Sequence, residues 1–303
     1  FSGNVSSLVT LHCSAEISMT EYRSGLMNRT LFAWREQMQI SLAQAMHALG
    51  RDRFYVSDFA IVSLAVTLRD LNPEFEGYRI AHISDLHMGH WLNGERLDGV
   101  ATLINQHNPD LVVITGDFVS YSVKQIEEDM IAGLQKINAV DGVVAVLGNH
   151  DHWLDPTGVR RMLNEGGVRE LANDVLSLHR GSASLHVAGV DDILVGADDL
   201  AKVLKILPDE GPVILLAHEP DFAEKSAETG RVGLQRSGHS HGGQILLPGL
   251  GPIRGEMFRK YPLGRYQVGD MVQYTNPGIG THVLRLRINC PPEITLVTLH
   301  TPK

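Results

Sequence analysis

Cysteine is nearly missing from this 303-residue chain: Cys13 and Cys290 are the only two, far apart in sequence. Two such residues exclude a disulfide framework and a thiolate metal site, and read as free thiols. Long apolar runs are missing too. The apolar stretch 58–68 is too short to cross a bilayer, which needs about 18 residues or more, and it begins on Asp58. Residues 1–26 lack the basic start, apolar middle and small-residue cleavage site of a secretory signal. Positive charge is in deficit, with 26 Lys and Arg against 35 Asp and Glu and a net charge of -9. No cationic excess exists to replace phosphate counterions, which argues against loose binding to nucleic acid. A P-loop, a dinucleotide-binding glycine fingerprint and a nucleophilic Ser or Cys motif are likewise absent.

What is there is ordinary globular composition, 43% hydrophobic and 20% charged, enough to bury a core. Residues 1–26 match neither a targeting segment nor a fold element, and Met27 looks like a natural start. They read as a non-native or disordered extension. Residues 27–57 hold one amphipathic helix. Leu31, Trp34, Met38, Leu42, Ala45, Met46 and Leu49 recur at helical spacing before Gly50. Packing on the domain is the default for residues 30–49, with peripheral membrane contact as the alternative.

From residue 58 to 303 the texture is that of one α/β domain. Short β-branched runs occupy 59–68, 78–84, 110–116, 142–148, 184–190, 212–218 and 293–300. Candidate helices Asn93–His107, Val123–Ile137, Pro156–Glu165 and Asp198–Ile206 lie between several of them. Such runs read as strands buried on both faces. After about Asp221 the chain turns Gly- and Pro-rich, as loops and hairpins that finish a second sheet.

Polar residues end these strands in a pattern. Asp85 and His87 follow one run, Gly116-Asp117 the next and Gly148-Asn149-His150-Asp151 the third. His218 ends a fourth, and Gly238-His239-Ser240-His241 forms a Gly-flanked pair. Ligands of open α/β sheets bind at the carboxyl ends of strands, so these groups can converge. Residues i and i+2 share a face of an extended chain, so Asp85 and His87 can reach one ion. Glycine beside Asp117, Asn149 and His239 is expected to make the sharp turns. A lone Asp-x-His is weak evidence; five such groups in series are strong.

The order of these motifs resembles the signature of the calcineurin-like metallophosphoesterases. The stretches 76–89, 237–248 and 291–299 resemble a small bacterial branch related to phosphodiesterases, and the likeness covers roughly residues 60–300. It implies a four-layer α/β/β/α sandwich of two mixed β-sheets flanked by helices. It also implies two divalent metal ions. Asp85, His87 and His241 would hold one, Asn149, His218 and His239 the other, and Asp117 would bridge them. His150 would sit beside the scissile phosphate, and Asp151 would orient it through a hydrogen bond. The implied reaction is hydrolysis of a phosphodiester, or also a monoester, by a metal-bridging hydroxide.

Elementary chemistry agrees with that scheme. Two cations, two carboxylates and one hydroxide leave about +1, which suits a singly charged phosphodiester. Imidazole and carboxylate donors without thiolate favour manganese, iron or zinc. His150 as imidazolium could protonate the leaving alkoxide, worth roughly 10²–10⁴ in rate. The partner is then a small phosphate ester, and the location cytoplasmic or peripheral to a bacterial membrane. Alternatives are a membrane-associated pyrophosphatase of a nucleotide-linked lipid and a non-catalytic metal-bound scaffold. Of the other histidines, His282 and His82 read as structural, while His90 and His152 sit close enough to motifs to line a pocket. Arg254, Arg259, Arg265, Arg285 and Arg287 read as surface ion pairs before phosphate contacts.

Overall fold

In the computed structural model the described residues are 53–89, 91–247, 251–252, 260–282 and 285–303, together with Ser41, which is helical and exposed. The expected extension 1–26 and, apart from Ser41, the expected helix 30–49 lie outside them, as do His90, Arg254 and Arg259. The chain divides into two compact units, Phe1–Arg51 and Asp52–Lys303.

Two six-stranded sheets make up the second unit. The first runs β1 (Ala60–Thr67), β14 (Glu293–His300), β2 (Arg79–Ile83), β3 (Leu111–Thr115), β4 (Val143–Val146), β5 (Val168–Glu170). In it β2 to β5 are parallel, and β14 is antiparallel to β2. The second runs β12 (Gly264–Val268), β13 (Met271–Thr275), β9 (Val232–Ser237), β8 (Val213–Leu216), β7 (Ala183–Gly189), β6 (Asp174–Arg180). Here β13, β9, β8 and β7 are parallel, with antiparallel strands at both edges. A separate two-stranded ribbon joins β10 (Leu246–Leu247) and β11 (Gly251–Pro252).

Period-2 alternation explains why the sheets stack. Leu111 and Val113 of β3 point into a core shared with Val187, Ile214 and Leu234 of the second sheet. Val112 and Ile114, one residue out of phase, face a second core. That core is completed by α1 (Gly94–Gln106), α2 (Val123–Leu134) and α4 (Pro156–Glu165), through Val100, Met130 and Met162. The far side of the second sheet sends Val213 and Leu215 against Leu200 and Val203 of α5 (Leu200–Ile206). Each such fully buried side chain stabilises by about 1.5–3 kcal/mol. The result is two mixed sheets face to face with helices outside, the architecture expected.

Local details differ where neighbours decide. β1 alternates partly buried with exposed positions, unlike the two-face burial expected, because it is an edge strand with β14 on one side only. α2 stops at Leu134, and Lys136 and Ile137 continue with shorter-range bonds to Gly133 and Leu134 carbonyls. Two six-residue helices escaped the periodicity: α3 (Asn149–Leu154) and α6 (Ala223–Glu228). Among the described residues no helix is long and apolar enough to cross a membrane.

Candidate metal centre

Every candidate ligand leaves the carboxyl end of a parallel strand: Asp85 and His87 from β2, Asp117 from β3, Asn149 from β4, His218 from β8, His239 and His241 from β9. Strand-like pairing continues into the loops, with Asp85 N donating to Gly116 O and His87 N to Asp117 O, both at 2.9 Å. All seven are buried.

Two groups of donors converge. Asp85, His87, Asp117 and His241 form one, and Asp117, His218 and His239 the other, so Asp117 belongs to both. Asp117 Oδ2 lies 3.3 Å from His87 Nε2 and 3.3 Å from His218 Nε2. His87 Nε2 faces His241 Nε2 at 3.1 Å, and His218 Nε2 faces His239 Nδ1 at 3.1 Å. His241 Nε2 is 3.4 Å from Asp85 Oδ1. Donors bound at about 2.0–2.2 Å and at right or tetrahedral angles stand about 2.9–3.5 Å apart, the separation seen here. Asn149 Oδ1 is buried without a hydrogen-bond partner, an acceptor that a cation would satisfy. These residues fit a divalent cation.

Electrostatics act differently on each ligand. Burial holds His239 and His241 well below the usual imidazole range, so their lone pairs stay available. Burial also pushes Asp85 up, partly relieved by His218. At Asp117 burial is outweighed by His218 and His150, which hold its carboxyl low. At His218 burial is outweighed by Asp117 and Asp85, which hold its ring high. Its Nδ1–H donates to Thr115 O at 2.5 Å, which leaves Nε2 turned toward Asp117.

The backbone is strained where the ligands sit. Asp85, His87, Asp117, His239 and His241 have φ of 49°, 42°, 56°, 67° and 50°. Left-handed conformations of this kind cost about 1–3 kcal/mol each and persist only where surrounding structure imposes them. The glycine expectation is therefore corrected in part. Gly116 does turn with φ 91°, but Gly148 (φ -114°) is extended, and Gly238 has no positive φ. Those two are needed for space: a Cβ at Gly148 would overlap Asp117 Oδ1, and one at Gly238 would overlap Ser84 Oγ and Asp85 Oδ2.

His150 lies beside the first group, edge-on to His87 with ring centroids 4.9 Å apart, and its backbone N–H donates to Asp117 Oδ1 at 3.0 Å. Burial pushes its ring down to about 4, against the pull of Asp117, so the ring is neutral near pH 7. The expected bond from Asp151 to His150 is not formed. Asp151 Oδ2 accepts from Gly148 N and Asp117 N, and Oδ1 from Phe118 N and Val119 N. Because Asp151 sits three residues into the first turn of α3, its carboxylate reaches back to the helix entrance and across to the β3 loop. It braces two ligand loops and leaves His150 alone.

Other expectations are settled by packing. His152 Nε2 meets Asp191 Oδ1 at 2.6 Å beside the Arg160–Asp191 ion pair, an arrangement that ties loops together. Arg287, expected as a surface ion pair, is turned inward, donating to Pro277 O at 2.7 Å and to Gly280 O at 2.6 Å. His82 is structural as expected, its Nδ1 accepting from Arg236 Nε at 3.1 Å. Sequence reasoning missed His282 and Trp153, whose rings lie 4.9 and 5.2 Å from that of His150. No spacing marks His282; Trp153 lies three residues after His150 within α3 and had a local signal.

Known proteins place this geometry. The model of the calcineurin-like phosphoesterase family matches residues 78–243, which run from β2 to the turn after His241. An uncharacterized metallophosphoesterase of Bacillus subtilis (strain 168), YkuE, is 40% identical over 230 residues, 74% of this chain and 80% of that protein. One from Aquifex aeolicus (strain VF5) is 28% identical over 75% of this chain and 87% of its own. A zebrafish (Danio rerio) transmembrane protein with a metallophosphoesterase domain is 28% identical over 79% of this chain, which spans 57% of that protein. The matched segment contains every residue of both donor groups, and on these grounds the chain belongs to the calcineurin-like phosphoesterase family.

Proposed function

We propose that this protein is a two-metal phosphodiesterase acting on a small phosphate ester. The observation that carries the reading is Asp117, whose carboxylate takes part in both donor groups and so suits a bridge between two cations. Asp85, His87 and His241 would hold one ion, with Asn149, His218 and His239 holding the other. Manganese, iron or zinc suits these nitrogen and oxygen donors. The bound cations would supply Lewis acidity and a water activated near neutral pH.

The chain's own residues do the rest. The two clusters lie at the strand ends where a substrate phosphate can enter. His150, beside the first cluster, offers an N–H to that phosphate. An anionic phosphate against its ring favours the protonated form, countering the burial that keeps it neutral. The proton then passes from the imidazole to the leaving oxygen, which otherwise departs as an alkoxide. Asp151 keeps the Gly148 and Asp117 loops at fixed separation while this happens.

Elemental analysis paired with a leaving-group panel tests the proposal. Two metal equivalents per chain and hydrolysis of a model diester faster than a monoester are expected. His150→Ala should keep both metals and slow turnover roughly 10²–10⁴-fold, least for the most acidic leaving group. One equivalent, or no hydrolysis of diester, monoester or pyrophosphate by the loaded protein, overturns it.

A further inference from the structure

The segment after β13 is clamped under Asp85 along its length. Asn276 N donates to Ser237 O at 2.9 Å, Ile279 N to Ser84 O at 2.8 Å and Gly280 N to Asp85 O at 2.7 Å. Arg287 holds it from the other side through the Pro277 and Gly280 carbonyls. A Cβ on Gly278 would stand 2.7 Å from Asp85 Cβ, so loop and ligand are in direct contact. His282 is the last described residue of this strap, and its N–H donates to the buried Gln244 Oε1 at 2.8 Å. Gln244 in turn donates to Leu286 O at 2.9 Å, which fixes the far side of the same loop. A histidine is thus delivered to one place by a hydrogen-bonded segment.

That place is beside the first donor group. The His282 ring lies 4.9 Å from His150 edge-on, 5.5 Å from His87 and 5.8 Å from His241, nearly parallel to the last. Unlike His87 and His241 it is exposed, and it belongs to neither donor group. The ring therefore covers the solvent side of the ligands without joining them.

We propose that His282 is a second substrate-contacting imidazole, which with His150 forms a clamp donating N–H groups to the non-bridging oxygens of a phosphodiester. An imidazole carries one N–H even when neutral, so the role needs no change of charge. Donors of this kind suit a singly charged diester, whereas dianionic phosphate is better met by a guanidinium fork. Arg287, the guanidinium against Asp85, is committed to backbone carbonyls. The inference rests on the two-metal phosphodiesterase reading of the site and adds a group that contacts the phosphate from beside His150.

The test uses the full chain loaded with manganese, with inorganic phosphate and a model diester as probes. In His282→Ala the metal content should equal wild type, because the ring is no ligand. Phosphate binding by titration calorimetry should weaken, and KM for the diester should rise, each roughly tenfold, as expected for loss of a hydrogen bond to a charged group. His282→Asn, which restores a donor, should recover part of both losses. Unchanged phosphate affinity and KM in His282→Ala, or a loss of metal in that variant, overturns the assignment while leaving the phosphodiesterase intact. A loaded wild-type protein that hydrolyses no ester and binds no phosphate overturns both.

Discussion

His82, Thr115 and Arg236 lie on β2, β3 and β9, a few residues short of Asp85, Asp117 and His239 on the same chain segments. Both groups are buried, and they meet desolvation differently. In the inner group Arg236 donates to His82 Nδ1, which leaves His82 Nε2–H for Thr115 Oγ1 at 2.8 Å. Thr115 Oγ1 donates to Ser84 Oγ at 2.7 Å, and Ser84 Oγ to Thr115 O at 3.1 Å. The guanidinium also lies over the Tyr274 ring at 4.3 Å. Every donor named there finds an acceptor, and only Arg236 Nη1, on the guanidinium above the Tyr274 ring, has no hydrogen-bond partner. In the outer group nitrogen faces nitrogen at 3.1 Å and Asn149 Oδ1 has no hydrogen-bond partner among the described residues. Buried polar groups that satisfy one another are architecture; buried lone pairs that converge call for a cation.

The largest break comes from Asp117→Ala. It removes the one donor common to both clusters, so both metals should be lost from elemental analysis. Hydrolysis should fall on the order of 10³-fold or more, several kcal/mol of transition-state stabilisation. Retention of either metal at wild-type affinity would separate the clusters and weaken the comparison.

Next comes Arg236→Met, which strands His82 Nδ1 in the core. Denaturant unfolding should show a loss of about 1–3 kcal/mol, the range for leaving a buried acceptor without its donor. Metal content of the folded fraction should be unchanged. A double replacement, Arg236→Met with His82→Leu, should lose less than the single one, because no orphaned acceptor remains.

The smallest effect sharpens the contrast through pH. Burial, and then the Arg236 charge, hold His82 well below the ordinary 6.5, so the unfolded chain takes up a proton that the folded one refuses. The stability from neutral His82 is complete above 6.5 and declines as pH falls below it. Between pH 6.5 and 5 the wild type should lose up to about 1.4 kcal/mol per pH unit more than His82→Gln. Equal slopes in urea titrations would show that His82 protonates in the fold.

Much of this is legible in the residues alone. Strands β2, β3, β4 and β8 end in Asp, His and Asn because ligands must emerge where parallel strands stop, and a β-branched run followed by such a residue is readable locally. Asp85, His87, Asp117, Asn149 and His218 need only that rule, whereas His239 and His241 stand out as a Gly-flanked pair. His282 is illegible for the opposite reason: it reaches His150 through a strap held by Ser84, Asp85 and Gln244, partners distant in sequence. Asp151 misleads because the resemblance implies an orienting bond to His150, whereas a helix entrance claims the carboxylate first. Arg236 is hidden because a charged residue at a strand end suggests exposure, yet it is fully buried within the second sheet.

Five of the seven candidate ligands hold φ angles that most side chains avoid. Asp, Asn and His are several-fold enriched in that region compared with other non-glycine residues. The amino acids that coordinate cations well are thus also those that tolerate the kinked chain, so one choice of residue answers two demands. A replacement such as Glu or Val at Asp85 or His241 meets resistance from the main chain before any question of coordination arises. The loops take their shape as the polypeptide folds, so exchanging one cation for another should change its reactivity while leaving the pocket's outline in place.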